Sequence, residues 1–464
     1  MVSGEHDQFR RAVSRAADQR RLWRQGDRHE PHAADEEGGA LHGRAVGRQV
    51  PQDLHLSAGH VGRRLGEGRG RDLAALHAGG LRGPRRAGEH PRPPLRRLER
   101  RALDRGRAGV DGGPVSEDRH ARCKRLIAPL RGAQYDFAPG AARDALGSLL
   151  APDARVRLGH PLGDMTGPEA FYERALAPLH AALPDLERRD WIVMAGPTPG
   201  GLDWVGCGGE FQGTFAQPFL DIPPTGHAVS MRFHEFYRFE GDRVTEVQAL
   251  WDIPELMMQA GAWPMAPSLG REWRVPGPAT QDGLVPGPHD PDRSAQSVFH
   301  VTEMLAHLKK HPSEGGPEVM EMGRFWHPRM RWYGPAGIRT GFGVEGFRKW
   351  HQIPFLKAMP DRGLYVDEIE YHFFGDGDYV AVTGWPNMIQ TLSHDGWLGI
   401  APPGQRITMR SLDFWRLERG LIRENWVLVD LLDMYAQIGV DVFARLREFN
   451  KARAGFDPES GRAL

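Results

Sequence analysis

The phrase "MRFHEFYRF", which begins at Met231, returns as "MRSLDFWRL", which begins at Met409. A chain that spells one element twice is expected to fold one unit twice, so this echo constrains the architecture more than any composition does. The match runs well beyond nine residues. "APDARVR" at 151 lies on "HPRMRWY" at 327, "GPEAF" at 167 on "GVEGF" at 343, and "LPD" at 183 on "MPD" at 359, each pair 176 apart (327 minus 151). Further on, "FLDIPPTGHAVSMRFHEFYRF" at 219 lies on "WLGIAPPGQRITMRSLDFWRL" at 397, now 178 apart (397 minus 219), so one small insertion separates the two runs. Order and spacing persist from end to end, which is the mark of a duplicated domain.

Each copy follows one plan. Apolar residues at i, i+3 and i+4 in "PGAARDALGSLLAP" and "HVTEMLAHLKKH" predict a leading helix. A short strand, a Gly/Pro turn and a second helix follow, and then a run of strands that includes "LERRDWIVMAG", "AVSMRFHEFYRF" and "RVTEVQALWD" in the first copy. Helices first and strands afterwards predict an α+β fold with a curved, mainly antiparallel sheet wrapped around the N-terminal helices, made twice. Boundaries are expected at 121–265 for the first domain, 266–296 for a Pro/Gly-rich linker, 297–450 for the second domain and 451–464 for a tail.

The first 120 residues break the pattern. They hold 24 Arg against 17 Asp plus Glu, and no Lys, Ile, Asn, Thr or Tyr. A folded domain needs β-branched and aromatic residues for strands and core. The stretch reads as a disordered extension, as a non-native frame of a GC-rich gene, or as a basic arm for an anionic partner, and no function is built on it. Over the whole chain 60 basic residues balance 60 acidic ones, which leaves no electrostatic reason to expect nucleic acid or membrane. Two cysteines without CxxC spacing argue against both a disulfide-stapled secreted domain and a thiolate metal site, and a cytoplasmic setting is expected. P-loop, strand-GxGxxG, HExxH and GxSxG patterns are missing, so nucleotide, zincin and serine-hydrolase chemistry is not expected.

Strand alternation divides "MRFHEFYRF" into Met231, Phe233, Glu235 and Tyr237 on one face and Arg232, His234, Phe236 and Arg238 on the other. The second copy keeps this arrangement, with Ser411, Asp413 and Trp415 on the first face. A carboxylate among apolar neighbours has its pKa raised by desolvation, as an acid/base group at neutral pH requires. Glu235 is therefore a catalytic candidate, supported by Tyr237 or Asp252, unless a neighbouring Arg or Tyr hydroxyl satisfies it. His234 falls with the arginines, where an imidazole at a packing interface competes with a proton relay; because Leu412 replaces it, it marks the first copy as the active one. Asp252 and Asp430 stand at the pocket mouth or serve as helix N-caps. Tyr172, Trp251, Phe233, Asp413 and Asp430 are candidates for substrate binding.

The run from "IPPTG" through the aromatic-Arg strand and "EGDRVTEV" to "WDIPELMMQAG" resembles the SnoaL-like polyketide cyclases, of the cone-shaped fold shared with nuclear transport factor 2 and ketosteroid isomerase. The resemblance covers about 125–265 and 297–445. It implies a deep apolar pocket, a small hydrophobic carbonyl substrate, and ring closure, isomerisation or dehydration without metal or organic cofactor. It also implies a catalytic Asp where this chain has Ala249 and Val427, and a histidine where it has Glu235 and Asp413. Cone domains of this kind commonly pair through their sheets, so the copies are expected to form that pair within one chain. The alternative is a non-catalytic protein of the same fold that binds a small molecule or acts as a scaffold.

Overall fold

The computed structural model describes residues 118–394 and 396–450, with backbone alone for a few residues of the tail. The anomalous stretch therefore lies, but for its last three residues, outside the described residues. The first copy opens with helix α1 (Arg119–Tyr135), whose N-terminus is capped by the Asp118 carboxylate accepting from His120 N at 2.9 Å. Helix α2 (Pro139–Leu149) carries a proline in its first turn and turns Ala142, Leu146 and Leu149 inward at three- and four-residue spacing. Strand β1 (Leu150–Leu158), the short β2 (Asp164–Thr166) and a second helical segment, Gly167–Ala182, follow. Then come β3 (Glu187–Pro197), β4 (Asp203–Thr214), β5 (Ala228–Glu240) and β6 (Arg243–Trp251).

The six strands lie in the order β2-β1-β6-β5-β4-β3. Neighbours are antiparallel except β1 and β6, which run parallel, with one helical segment and four strands between them in the chain. The second copy repeats the order with β7 (Trp326–Tyr333), β8 (Thr340–Phe342), β9 (His372–Asp376), β10 (Tyr379–Thr383), β13 (Ser411–Glu418) and β14 (Leu421–Val429), and β7 and β14 form its parallel pair. The sheets are thus mixed, with one parallel pair in each.

Two differences separate the copies. The counterpart of β4 is interrupted at Trp385-Pro386, where the proline has no N–H for the ladder, and resumes as β11 (Met388–Leu392), which pairs with β12 (Gln405–Met409). The counterpart of β3 starts late. Leu183 and Met359 are 176 apart, but Ala195 and Gly375, which take equivalent places in the two ladders, are 180 apart, so the second copy holds four extra residues before β9.

The concave faces enclose one apolar cluster with the helices, while residues on the opposite faces form a second cluster drawn from both sheets. Phe236 stacks on Phe414 (centroids 5.1 Å apart) and meets Phe374 edge-on. Gly206 and Gly208 make room for Phe414: a Cβ would come within 2.9 and 3.1 Å of its ring, respectively. The contact is reciprocal. Asp252 Oδ2 accepts from Ala336 N of the second copy at 2.9 Å, and Asp430 Oδ2 accepts from His160 N of the first at 3.0 Å. These are equivalent residues exchanging equivalent bonds, as across a twofold axis. Among the described residues no helix is long and apolar enough to cross a membrane.

Candidate functional site

On the concave face of the first sheet, Glu235 sits opposite Cys207 of β4 and Ala249 of β6 and is 1% exposed. Both its oxygens are occupied. Oε2 accepts from Arg188 Nη1 and from the Tyr237 hydroxyl, each at 2.6 Å, and Oε1 accepts from Trp251 Nε1 at 3.0 Å. Arg188, on β3, is itself buried, donates to Gln134 and Asp190, and lays its guanidinium 4.2 Å from the Phe233 ring centroid. Burial alone would lower the pKa of Arg188, yet the Asp190 and Glu235 carboxylates hold it well above the ordinary value. Burial pushes the Tyr237 phenol well up, and the Glu235 charge adds to this. Four residues expected at the site, Phe233, Glu235, Tyr237 and Trp251, do converge, but into a closed ion-pair network. Three hydrogen bonds, one of them from a buried guanidinium, thus hold Glu235 within the protein, the satisfied state set against the acid/base role in the sequence.

The other candidates of the first copy lie elsewhere. Asp252 is bound by Arg232 Nη2 at 2.6 Å and by Ala336 N, both on the side that faces the second copy, and does not pair with Glu235. Of the two residues named to support Glu235, Tyr237 meets it and Asp252 turns away: consecutive residues of a strand point to opposite faces, and Asp252 follows Trp251, whose indole bonds Glu235. His234 is also an interface residue. Its Nδ1 meets the Leu412 carbonyl at 2.6 Å, its ring stands edge-on to Phe414, and burial lowers its pKa to about 3, the surroundings of an imidazole at a packing interface. Asp430 caps its helix through Asp433 N at 3.1 Å and also binds Arg410, whereas the Asp252 side chain makes no cap bond. Tyr172 packs in the core under the Arg143 guanidinium.

The second copy differs at the decisive place. Asp413 holds the position of Glu235, opposite Val382 of β10 and Val427 of β14, with Phe373 one strand further on. Since β9 begins only at His372, the strand stops short of the place where β3 carries Arg188. Among the described residues Asp413 has no cation partner; its one hydrogen bond comes from Ser411 Oγ at 2.6 Å. Desolvation raises its pKa to about 7, against the smaller opposing effect of Ser411. The carboxylate keeps partial solvent access.

Aromatic side chains crowd the interior of the second copy. His351 stacks on Trp332 at 4.2 Å and touches Phe347 and Phe355, and Phe355 meets Trp397. On the strand side Trp415 faces Phe373. Several buried polar atoms here have no partner: His351 Nδ1, Trp397 Nε1 and Trp415 Nε1. Burial, aided by the Arg362 charge, takes the His351 pKa to about 3, and burial takes Arg362 down to about 10. Buried polar atoms are nearly always hydrogen-bonded, so these three are exceptions, as are Trp204 Nε1 and His180 Nδ1 in the first copy. Arg188 and Arg362 escaped the reading of the sequence, where the offset shows only a net change of two residues and the four-residue surplus before β9 emerges from the ladders.

The family model of the SnoaL-like polyketide cyclases matches residues 130–260 and again 317–438. The chain belongs to this family. It carries two SnoaL-like copies of the α+β cone, in line with the two sheets above. Similar solved structures include IdmH from Streptomyces antibioticus, 22% identical over 30% of this chain and 98% of that one, with a TM-score of 0.26. An NTF2-like protein from Burkholderia thailandensis E264 is 15% identical over 30% and 96%, with a TM-score of 0.24. A protein of ketosteroid isomerase-like fold from Catenulispora acidiphila DSM 44928 is 19% identical over 29% and 92%, with a TM-score of 0.23. No curated protein matches the chain.

Proposed function

We propose that this SnoaL-like protein is a cofactor-independent acid/base catalyst acting on a hydrophobic carbonyl compound, that its second copy is the working one, and that Asp413 is the acid/base group. One observation carries this reading: among the described residues, the carboxylate on the concave face of the second sheet has no cation beside it. A carboxyl with a pKa of about 7 is present in both forms at neutral pH. It can take a proton from the carbon next to a carbonyl and return one to another carbon or to a leaving hydroxyl. Ring closure, isomerisation and dehydration all share that first step. Trp415, two residues along the same face, has a buried Nε1–H without an acceptor and is suited to meet the enolate oxygen.

The register supports the assignment. Val427, where the family resemblance calls for the catalytic Asp, is the cross-strand partner of Asp413. Side chains so paired stand about 5 Å apart at Cβ, so the acid has moved over by one strand and still reaches the same part of the cone. The first copy fits a structural role, because the Arg188–Glu235 network fills the corresponding space.

The test is exchange of α-protons of 2-tetralone in D2O, followed by NMR. The full chain is expected to accelerate exchange over buffer, and Asp413→Asn is expected to lose roughly 10²–10⁴-fold, the usual worth of a positioned general base. A variant as fast as the parent removes Asp413 from the reaction, and no acceleration by the parent removes the catalytic reading.

A further inference from the structure

The second ladder gives way just beyond Asp413. In the first copy β4 and β5 pair without a break from Cys207 and Glu235 through Gly209 and Phe233 to Phe211 and Met231. In the second, Val382 stands opposite Asp413, and pairing resumes with Met388 opposite Met409. One strand takes six steps (388 minus 382) where the other takes four (413 minus 409), so two residues loop out within Thr383–Asn387 and leave the Ser411 main chain unpaired on that side. The side chain of Asn387 fills the missing place: its Nδ2 donates to the Ser411 carbonyl at 2.6 Å, and its Oδ1 accepts from Ser411 N at 2.9 Å. Only one orientation of the amide satisfies both bonds. Asn387 is buried, and the first copy holds the same loop from the other side, where Thr383 Oγ1 donates to Gln248 Oε1 at 2.5 Å and Arg157 Nη1 to the Trp385 carbonyl at 3.4 Å.

Ser411, so fixed, turns its hydroxyl onto Asp413 Oδ1 at 2.6 Å, within the short range of O–H···O⁻ bonds. In the first copy its place is taken by Phe233 (411 minus 178), which has no such donor. The broken ladder, the amide that mends it and the hydroxyl are thus confined to the copy whose carboxylate has no cation beside it among the described residues. The residues across from Asp413 on both neighbouring strands, Val382 and Val427, do not titrate, which leaves the Ser411 hydroxyl as the polar group at the carboxylate. We propose that Ser411, locked by Asn387, is a positioning residue for Asp413 and reserves Oδ2 as the atom that takes the proton. With Oδ1 engaged, Oδ2 is the oxygen without a hydrogen bond among the described residues. The proton of the substrate's α C–H passes to Oδ2, its electron pair stays on the substrate as the enolate, and the Ser411 proton stays on Oγ. A hydroxyl that donates to a carboxylate favours its ionised form, so Ser411 keeps Asp413 from titrating higher still. The inference rests on Asp413 as the acid/base group, but titration of the carboxyl reports on it without any turnover.

The experiment is a pH titration of the full chain with carbon-13 in its aspartate carboxyls, read by NMR, in which the Asp413 signal is the one missing from Asp413→Asn. Ser411→Ala removes a hydrogen bond to the charged form, and the midpoint is expected to rise from about 7 by roughly one pH unit. Exchange of 2-tetralone at pH 7 is then expected to fall about five-fold, as the ionised fraction drops from about one half to about one tenth, and to recover as pH rises. Ser411→Thr keeps the hydroxyl and is expected to keep the midpoint of the parent. Asn387→Ala frees Ser411 and is expected to move the midpoint upward by less. Ser411→Cys, with only a weak S–H donor, is also expected to raise it, which covers the case of an alanine variant that does not fold. A residue that serves packing alone would lower the melting temperature and leave the midpoint in place. An unmoved or lowered midpoint in Ser411→Ala and Ser411→Cys, or a threonine variant that behaves like the alanine one, overturns the assignment. A raised midpoint without exchange by the parent leaves the Ser411–Asp413 pair standing and removes the catalytic reading; exchange that is lost in Asp413→Asn, with an unmoved midpoint in Ser411→Ala, does the reverse.

Discussion

Replacing Asp413 by Asn tests the desolvated carboxylate through stability as well as through chemistry. The folded chain holds this carboxyl at about 7 against an ordinary 3.8. Between those values the folded state binds the extra proton, so stability falls as pH rises through the window, and the loss is complete above pH 7 and absent below pH 4. At ~1.4 kcal/mol per pH unit, a span of about three units amounts to on the order of 4 kcal/mol at pH 8, an upper figure because residual water access screens the charge. At pH 5 only about 2 kcal/mol of it has developed. Asn keeps the shape and can still accept from Ser411 Oγ, but never ionises. The variant is therefore expected to be more stable than the parent, and by about 2 kcal/mol more at pH 8 than at pH 5, in urea unfolding followed by tryptophan fluorescence. An equal gain at both pH values, or a variant weaker at pH 8, refutes the assignment. Combined with lost α-proton exchange, a pH-dependent gain would show an acid group retained at the expense of stability, as functional groups often are.

Other perturbations separate the structural groups from the working ones. Glu235→Gln leaves Arg188 buried with Asp190 alone and is expected to cost about 3 kcal/mol of stability, without slowing exchange per folded molecule. Asp252→Ala strips the buried Arg232, and Asp430→Ala the partly exposed Arg410, of an acceptor together with a backbone N–H of the other copy, and they are expected to lower stability by about 3 and about 2 kcal/mol, respectively. Asp221→Ala, which removes an exposed pair with Arg447, is expected to change stability by less than about 1 kcal/mol in the same thermal scans. His234 is neutral in the fold, with a pKa near 3 against an ordinary 6.5, so its contribution is lost as pH falls below 6.5, at ~1.4 kcal/mol per pH unit. His234→Gln is expected to remove one proton from the uptake on unfolding between pH 6.5 and 5, read from stability against pH; an unchanged uptake contradicts a buried neutral imidazole.

Much of the fold follows from local rules that a repeated sequence states twice. A period of two places Glu235 and Asp413 on concave faces and His234 and Phe414 on the opposite ones, whatever the strands later meet. Helix spacing and caps at Asp118 and Asp290 set the leading helices. The offset of 176, then 178, declared two domains that differ by a net two residues. Local pattern therefore determined which residues form which element and which way each side chain turns.

The state of the carboxylates is another matter. Whether a buried Asp or Glu is an acid/base group or half of an ion pair depends on what another strand delivers to within about 4 Å, since the desolvation and Coulomb effects are both large and opposite in sign. Arg188 reaches Glu235 across 47 positions of chain, and β9 starts too late to bring a counterpart on that strand to Asp413. The same holds for Asp252 and Asp430, whose decisive partners, Ala336 and His160, belong to the other copy. The sequence by itself determined two cones, each with a carboxylate facing inward. Only the tertiary structure decided that the first carboxylate is neutralised by an arginine and the second is left free, because that outcome is set by distances between residues remote in the chain.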